Sequence, residues 1–163
     1  MTGIDPLAFR NALGRFATGV TVVTTADAEG RKYGVTANSY NSVSLDPPLI
    51  LWSLARSSRS MAAFAECRFF VVHVLGAHQE DLALRFAARG DDKFAGMAVR
   101  EGAGGAPLFD DCLAHFECRV EDRIEGGDHV IFLGHVVGFA AGDHDPLIFH
   151  SGRFTRVENR PGT

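Results

Sequence analysis

Short apolar runs separated by turn-forming residues set the hydrophobic pattern of this chain. Residues 20–25 are rich in β-branched side chains, and residues 27–30 follow as a hairpin turn into a second strand over residues 31–38. Residues 49–54 and 69–75 are apolar throughout, which is typical of buried strands. The first half of the chain therefore predicts four strands.

The second half continues the β pattern. Residues 114–124 alternate between apolar and polar side chains, as a half-exposed strand does. A glycine-containing turn leads into a strand over residues 129–139, and two short strands close the chain at residues 146–149 and 154–157. Between the two halves, residues 90–105 are rich in glycine and predict a surface excursion.

Three helices accompany these strands. Asp5 is a favoured N-cap with Pro6 at the first helical position, and apolar residues recur at helical spacing to about Ala17. Residues 57–60, which contain three serines, offer a good N-cap for a short helix over residues 61–65. The third helix starts near residue 78 with acidic residues in its first turn.

The order of these elements indicates the fold class. About seven or eight strands joined by turns, without regular β-α-β alternation, favour an antiparallel barrel with flanking helices over a doubly wound sheet. A chain of 163 residues is expected to form one domain with a sizeable core.

Composition excludes several classes of protein. The formal net charge is −4 and the basic residues are scattered, so neither a nucleic acid nor a membrane surface is an expected partner. No apolar run reaches the ~18 residues of a membrane span, and no secretory signal is visible. Three cysteines without paired spacing favour a reducing cytoplasm.

Motifs for several kinds of chemistry are absent from the sequence. It contains no glycine-rich dinucleotide or P-loop motif, and no serine-hydrolase elbow. No Cys or His pair has the spacing of a metal site, and Asp143, His144 and Asp145 with His150 are expected to form a solvated loop. We therefore expect no metal.

One polar segment stands out, over residues 34–48. It is dense in short hydroxyl and amide side chains and lies between two strands. Fixed donors and acceptors at strand ends suit a polar, planar ligand. The alternative, a wide Ser/Thr/Asn loop that caps a sheet, is equally consistent with the composition.

A second candidate site follows directly. Residues 56–60 offer two guanidinium groups and three hydroxyls at a predicted helix start, which suits an anion such as phosphate. A plain N-cap with solvated arginines is as consistent with this stretch. Lys93 is a possible further cation, or else a surface lysine beside an anchoring Phe94. His129, at a strand entry after a glycine turn, is either structural or functional.

Taken together, these segments resemble the flavin reductase family, the short reductase components of two-component flavin monooxygenases. The matching stretches, which together cover about residues 8–157, are residues 15–25 (RFATGVTVVTT), 34–40 (GVTANSY), 42–48 (SVSLDPP), 79–87 (QEDLALRFA), 127–129 (GDH) and 150–154 (HSGRF).

The resemblance implies a mainly β fold, a split β-barrel of the FMN-binding type, that forms a homodimer. It implies contacts of the isoalloxazine and ribityl chain with Thr36, Ala37, Asn38, Ser39, Ser42 and Val43. The phosphate end would be lined by Ser53, Leu54, Ala55, Arg56, Ser58, Arg59 and Ser60, with Lys93 and Phe94 alongside. The nicotinamide would lie by His129, His150, Gly152, Arg153 and Phe154. The family often has Tyr in place of Phe154, so one hydroxyl contact is expected to be missing.

The implied reaction is reduction of FMN or FAD by NADH or NADPH, with hydride passing between stacked rings. Reduced flavin would then diffuse to a partner oxygenase, and His129 would orient the nicotinamide carboxamide or support charge. Two alternatives remain open. One is a split-barrel oxidoreductase that keeps its FMN and acts on its own substrate; the other is a non-enzymatic flavin- or haem-binding carrier or sensor.

Overall fold

Twelve strands and three α-helices are present in the computed structural model, which describes residues 3–90 and 92–158. The strands are β1 (Thr18–Gly19), β2 (Thr21–Ala26), β3 (Lys32–Ala37), β4 (Asn41–Leu45), β5 (Pro48–Ala55), β6 (Phe69–Val74), β7 (Arg100–Glu101), β8 (Pro107–Leu108), β9 (Ala114–Gly126), β10 (His129–Ala141), β11 (Leu147–His150) and β12 (Arg153–Arg156). The helices are α1 (Pro6–Leu13), α2 (Met61–Glu66) and α3 (Glu80–Ala87), and Ala77–Gln79 forms a 3-10 turn before α3.

A seven-stranded sheet in the order β3-β2-β6-β9-β10-β5-β4 forms the body of the protein, and every pairing in it is antiparallel. Ser39, just after the edge strand β3, bonds to Ser53 of β5. Its Oγ donates to the Ser53 carbonyl at 3.0 Å and accepts the Ser53 N–H at 2.9 Å. The sheet thus curls so that its β3 edge meets β5, which confirms the predicted antiparallel barrel.

A second sheet contains only short strands, in the order β1-β11-β12. Thr18 pairs with Phe149, and β11 and β12 form the closing hairpin. The predicted domain over residues 1–163 extends beyond the described residues and stays a prediction. None of the helices within residues 3–90 and 92–158 is long and apolar enough to cross a membrane.

The barrel interior is filled by aromatic rings. Trp52 stacks on Phe132 with ring centroids 4.9 Å apart and meets Phe64 and Phe70 edge-on at 5.0 Å and 5.9 Å. All four side chains are fully buried. Burial of one such side chain contributes about 1.5–3 kcal/mol, so this cluster fixes β5, on which part of the predicted site lies.

One prediction about helix ends requires correction. Asp5 caps α1 as expected, since its carboxylate accepts the Leu7 N–H at 3.2 Å, but α1 ends at Leu13 rather than Ala17. Ser60 makes no side-chain bond to α2; instead the Ser58 hydroxyl accepts the Ser60 N–H at 3.3 Å. Ser60 therefore occupies the N-cap position, within the predicted stretch, without a capping bond from its side chain.

The polar segment at residues 34–48 is not a wide loop. Its first residues belong to β3, and Asn41–Leu45 forms the edge strand β4, paired with β5. Pro48 begins β5, a position where its missing N–H is tolerated. β4 lies at the sheet edge and is largely exposed, so its sequence lacks the alternation of apolar and polar side chains by which a strand is recognised.

Candidate functional site

A small cationic cavity lies where β3, the loop before α2 and the loop after α3 meet. Its volume is about 150 Å³, and its lining residues are Lys32, Tyr33, Gly34, Arg59, Ser60, Gly90, Lys93 and Phe94. The structure thus brings together four residues predicted for the phosphate end, namely Arg59, Ser60, Lys93 and Phe94. Three cationic side chains around a cavity of this size suit a compact anion.

Lys93 is positioned by backbone carbonyls. Its Nζ donates to Phe86 O at 2.8 Å and to Gly34 O at 3.3 Å. Partial burial lowers the pKa of Lys93 below its ordinary value. An ammonium has three N–H donors, and two are engaged here, so one remains to meet an anion in the cavity.

The loop that carries Lys93 is fixed to α3 by Arg85, whose Nε donates to Lys93 O at 2.6 Å and whose Nη2 donates to Ala95 O. Phe94 packs edge-on against Phe86 with ring centroids 5.0 Å apart, beside the buried cluster that includes Phe109. Phe94 is therefore a wall of the cavity that is anchored in the core. Lys93 gains a fixed position from this packing.

Arg56 does not join Arg59 at an anion site, although the sequence predicts that both guanidinium groups serve one. Its Nε donates to Gly127 O at 3.1 Å, and its Nη2 forms an ion pair with Glu125. Its backbone N–H also donates to Asp128 O at 2.9 Å. Arg56 thus joins the end of β5 to the β9–β10 turn and is absent from the cavity lining.

The hydroxyl groups predicted to face the flavin ring are partly engaged in the scaffold. Thr36 Oγ1 donates to Ala83 O at 2.6 Å, which ties β3 to α3, and Ser39 is bonded to Ser53. The side chains of Asn38, Ser42 and Val43 are exposed along the sheet edge. The remaining predicted contacts on this surface differ in burial: Leu54 lies in the core, whereas Ala37, Ser53 and Ala55 are half-buried.

His129 is held at the start of β10. In the sheet it pairs with Ala55 on one side and with Gly126 on the other, so it lies next to the end of β5. Its Nδ1 is 2.7 Å from Asp128 Oδ1, and its side chain is 45% exposed. The hydrogen bond from His129 holds the pKa of Asp128 below its usual range. Because Asp128 occupies Nδ1, Nε2 is the nitrogen available to a ligand.

The other predicted nicotinamide contacts lie on a different sheet. His150 and Arg153 are exposed at the β11–β12 turn, where Gly152 has a φ of 78°. Phe154 meets Phe149 edge-on with ring centroids 5.5 Å apart. The structure therefore places these residues on the three-stranded sheet and His129 on the seven-stranded sheet.

Sequence reasoning missed two groups of residues. Lys32 and Tyr33 line the cavity from β3, and only the position of β3 beside the polar segment could have indicated them. The second group is His78, Asp111 and His144, whose side chains meet although each lies 33 residues from the next. Residues 143–145 form the exposed loop that the sequence predicts, and within this loop His144 contacts Asp111.

Comparison with known proteins places these features in a family. A family model described as "Flavin reductase like domain" matches residues 13–158. The FMN reductase (NADH) SmoA of Agrobacterium fabrum is 47% identical over 158 residues, which cover 97% of this chain and 90% of that protein. The flavin-dependent monooxygenase reductase subunit HsaB of Rhodococcus jostii is 40% identical over 95% of this chain and 80% of its own length.

A solved structure confirms the fold. The NADH:FAD oxidoreductase SgcE6 of Streptomyces globisporus, in complex with NAD and FAD fragments, superposes with a TM-score of 0.90 at 36% identity, over 99% of this chain and 100% of that one. Some relatives are longer: a probable flavin reductase of Rhizobium meliloti is 50% identical over 83% of this chain, which spans only 43% of that protein.

Proposed function

Because this chain belongs to the family of flavin reductase like domains, we propose that it transfers hydride from NADH or NADPH to FMN or FAD. Reduced flavin then passes to a partner oxygenase, as the reductase-subunit name of the HsaB relative suggests. The observation that carries this proposal is the cationic cavity beside the polar edge of the sheet. The cationic side chains of Lys32, Arg59 and Lys93 in its lining suit a flavin phosphate.

The size of the cavity limits what it holds. A pocket that encloses a whole ligand of the size of FMN usually has a volume of about 300–1,000 Å³. The volume of this cavity is only about 150 Å³. It therefore suits the phosphate end alone. Lys93 and Arg59 supply charge and the Ser60 hydroxyl supplies a further hydrogen bond. The isoalloxazine and ribityl chain then extend along the exposed polar side chains of Asn38 and Ser42.

When bound, the flavin supplies the hydride-accepting chemistry, and the residues of this chain position the reactants. We assign to His129 the orientation of the nicotinamide carboxamide: Asp128 accepts the Nδ1 proton, so Nε2 accepts from the carboxamide NH₂. His150, Gly152, Arg153 and Phe154 remain proposed nicotinamide contacts. No residue is required as an obligatory acid or base in this reaction.

A homodimer is part of the proposal, supported by exposed apolar side chains on the sheet. Leu45 is 97% exposed and Phe139 is 72% exposed. Leu45 pairs with Pro48, and the neighbouring Leu49 pairs with His135, so the end of β4 and the last part of β10 lie at the same end of the sheet. Large exposed apolar surfaces of this kind mark protein interfaces. A second protomer over this end of the sheet would also cover the isoalloxazine ring, which would otherwise lie open to solvent along Asn38 and Ser42 of one protomer.

Comparison of FMN with riboflavin, which lacks the phosphate, tests the proposed role of the cavity. For the unaltered protein we expect NADH oxidation with both, and a lower KM for FMN. Lys93→Met is expected to raise the KM for FMN roughly tenfold or more, since a charged hydrogen bond contributes about 1.5–3 kcal/mol, and to leave the KM for riboflavin nearly unchanged.

Arg31→Met, a change to an exposed cation that is not among the lining residues, is the matched control. An equal effect of Lys93→Met on both flavins would show that the cavity does not hold the phosphate. Absence of turnover with either flavin would refute the reductase activity itself. A tightly retained flavin that turns over only with an organic substrate would support the alternative oxidoreductase, which none of the named relatives supports.

A further inference from the structure

A second cluster of ligating side chains lies outside the proposed flavin site. His78 Nε2 is 3.0 Å from Asp111 Oδ2, and His144 Nε2 is 2.8 Å from Asp111 Oδ1. The two imidazole rings lie 4.7 Å apart, and the three donor atoms all lie within 4.8 Å of one another. None of these residues lines the cationic cavity.

We propose that His78, Asp111 and His144 bind a first-row transition-metal dication of the Zn²⁺ type. Two imidazoles and one carboxylate are a donor set that zinc accepts, with water in the remaining position. Tetrahedral ligands about 2.0–2.2 Å from zinc lie roughly 3.3–3.5 Å from each other. The observed separations of 3.0 Å and 2.8 Å join the two histidines to different oxygens of Asp111, so a bound metal would replace two hydrogen bonds. One ligand atom from each residue already lies within 4.8 Å of the other two, so small side-chain rotations bring the three to the spacing of a bound site.

The backbone around the cluster is fixed before any metal binds. Gly76 pairs with Pro146, and Ala77 N donates to Asp145 O at 2.7 Å, so the segments that carry His78 and His144 are joined. Gly142 N donates to Leu113 O at 2.7 Å, which joins the segment of Asp111 to the same loop. Three segments distant in sequence therefore present their ligands from one bonded framework, which lowers the entropic cost of binding.

Gly76 also positions the His78 ring. A Cβ atom at residue 76 would lie 2.7 Å from His78 Cε1 and 3.4 Å from His144 Cβ. The absence of a side chain at Gly76 thus lets the imidazole pack against the backbone, beside the second histidine. The ring is held with its Nε2 toward Asp111.

Asp143 and Asp145 lie on the same loop as His144 and add negative charge to this surface, while Asp110 is already paired with Arg100 at 2.6 Å. This charge favours a cation over an anion. Since residue 147 begins β11, a bound metal would fix the start of the hairpin that carries His150 and Arg153. The proposed role of the metal is accordingly to clamp three segments together.

Calorimetric titration of the untagged, chelator-treated protein with Zn²⁺ tests the site. We expect one Zn²⁺ per chain, and a Tm that rises with zinc concentration, because a ligand that binds only the folded state stabilises it. His78→Ala and His144→Ala are each expected to weaken binding by more than about tenfold, because each removes one of three ligands. All three side chains are 37% exposed or more, so the variants are expected to fold.

Two further variants sharpen the test. Asp111→Asn removes the anionic ligand but suits the backbone, because Asn tolerates the positive φ of 62° at this position; it is expected to weaken zinc binding as well. Asp143→Asn removes a neighbouring exposed charge but no ligand, so it is expected to weaken zinc binding far less than His78→Ala does. Absence of zinc binding, or equal binding by His78→Ala and the unaltered protein, would overturn the proposal.

Discussion

His73 offers the most quantitative test of how the core is assembled. Its ring is fully buried, with Nδ1 3.0 Å from Val22 O and Nε2 accepting the Phe109 N–H at 3.1 Å. A ring that donates through one nitrogen and accepts through the other must be neutral. Burial lowers the pKa of His73 to about 3; the hydrogen bond with the Val22 carbonyl opposes this shift, and the nearby His115 adds to it.

The pH dependence of stability follows from this neutral state. An unfolded histidine titrates near a pKa of about 6.5. The unfolded chain therefore takes up a proton at His73 as the pH falls below that value, while the folded chain does not. The stability that this group contributes is complete above about pH 6.5 and is lost as the pH falls toward about 3. With one pH unit worth about 1.4 kcal/mol, a change from about pH 8 to about pH 5 lowers the free energy of unfolding by about 2 kcal/mol.

Urea unfolding of the unaltered protein and of His73→Gln at these two pH values measures the effect. The glutamine amide has an acceptor and a donor but does not hold them in the fixed geometry of the imidazole ring, so we expect one of the two hydrogen bonds to be lost, at a cost of about 1–3 kcal/mol at the higher pH. The variant should lack the additional loss of about 2 kcal/mol at the lower pH, since it carries no ionisable group at position 73. The same pH dependence in both proteins would refute the assignment of His73 as a buried neutral bridge.

Three further predictions concern the scaffold, the site and the assembly. Arg123 donates to Phe64 O at 3.2 Å and also to Cys67 O, at the end of α2, so Arg123→Ala should lower the free energy of unfolding in urea by about 2–3 kcal/mol; a change below about 0.5 kcal/mol would contradict this. His129→Ala should raise the KM for NADH or lower kcat while leaving the KM for FMN unchanged, and unaltered NADH kinetics would remove its proposed role. Phe139→Glu should shift the protein from dimer to monomer in light scattering with its thermal unfolding retained, whereas a dimer in both proteins would exclude this surface.

Much of the fold could be predicted because buried strands leave a clear pattern. The strands over residues 69–75 and 129–139 correspond to β6 and β10, since apolar runs and glycine turns mark both. β4 could not be found in this way. It lies at the sheet edge with most of its side chains exposed, so no apolar alternation distinguishes it from a loop.

Only part of the site could be predicted, because several of its contacts join residues that are distant in the sequence. The residues themselves indicate Arg59 and Lys93 as candidate cations, and the family resemblance assigns both to the phosphate end; the structure brings both to one cavity. The ion pair between Arg56 and Glu125 could not be predicted, because it depends on the pairing of β5 with β10. The contact between His78 and Asp111 could not be predicted either, because two residues 33 positions apart show no local spacing that indicates a site.

We propose that this chain reduces flavin that exchanges freely with solution. Steady-state oxidation of NADH and of NADPH, followed by nicotinamide absorbance while FMN or FAD is titrated, measures this directly. We expect a rate that saturates with added flavin and a preference for one nicotinamide. Flavin binding without turnover in any pairing would contradict it and would leave a flavin carrier on the same barrel.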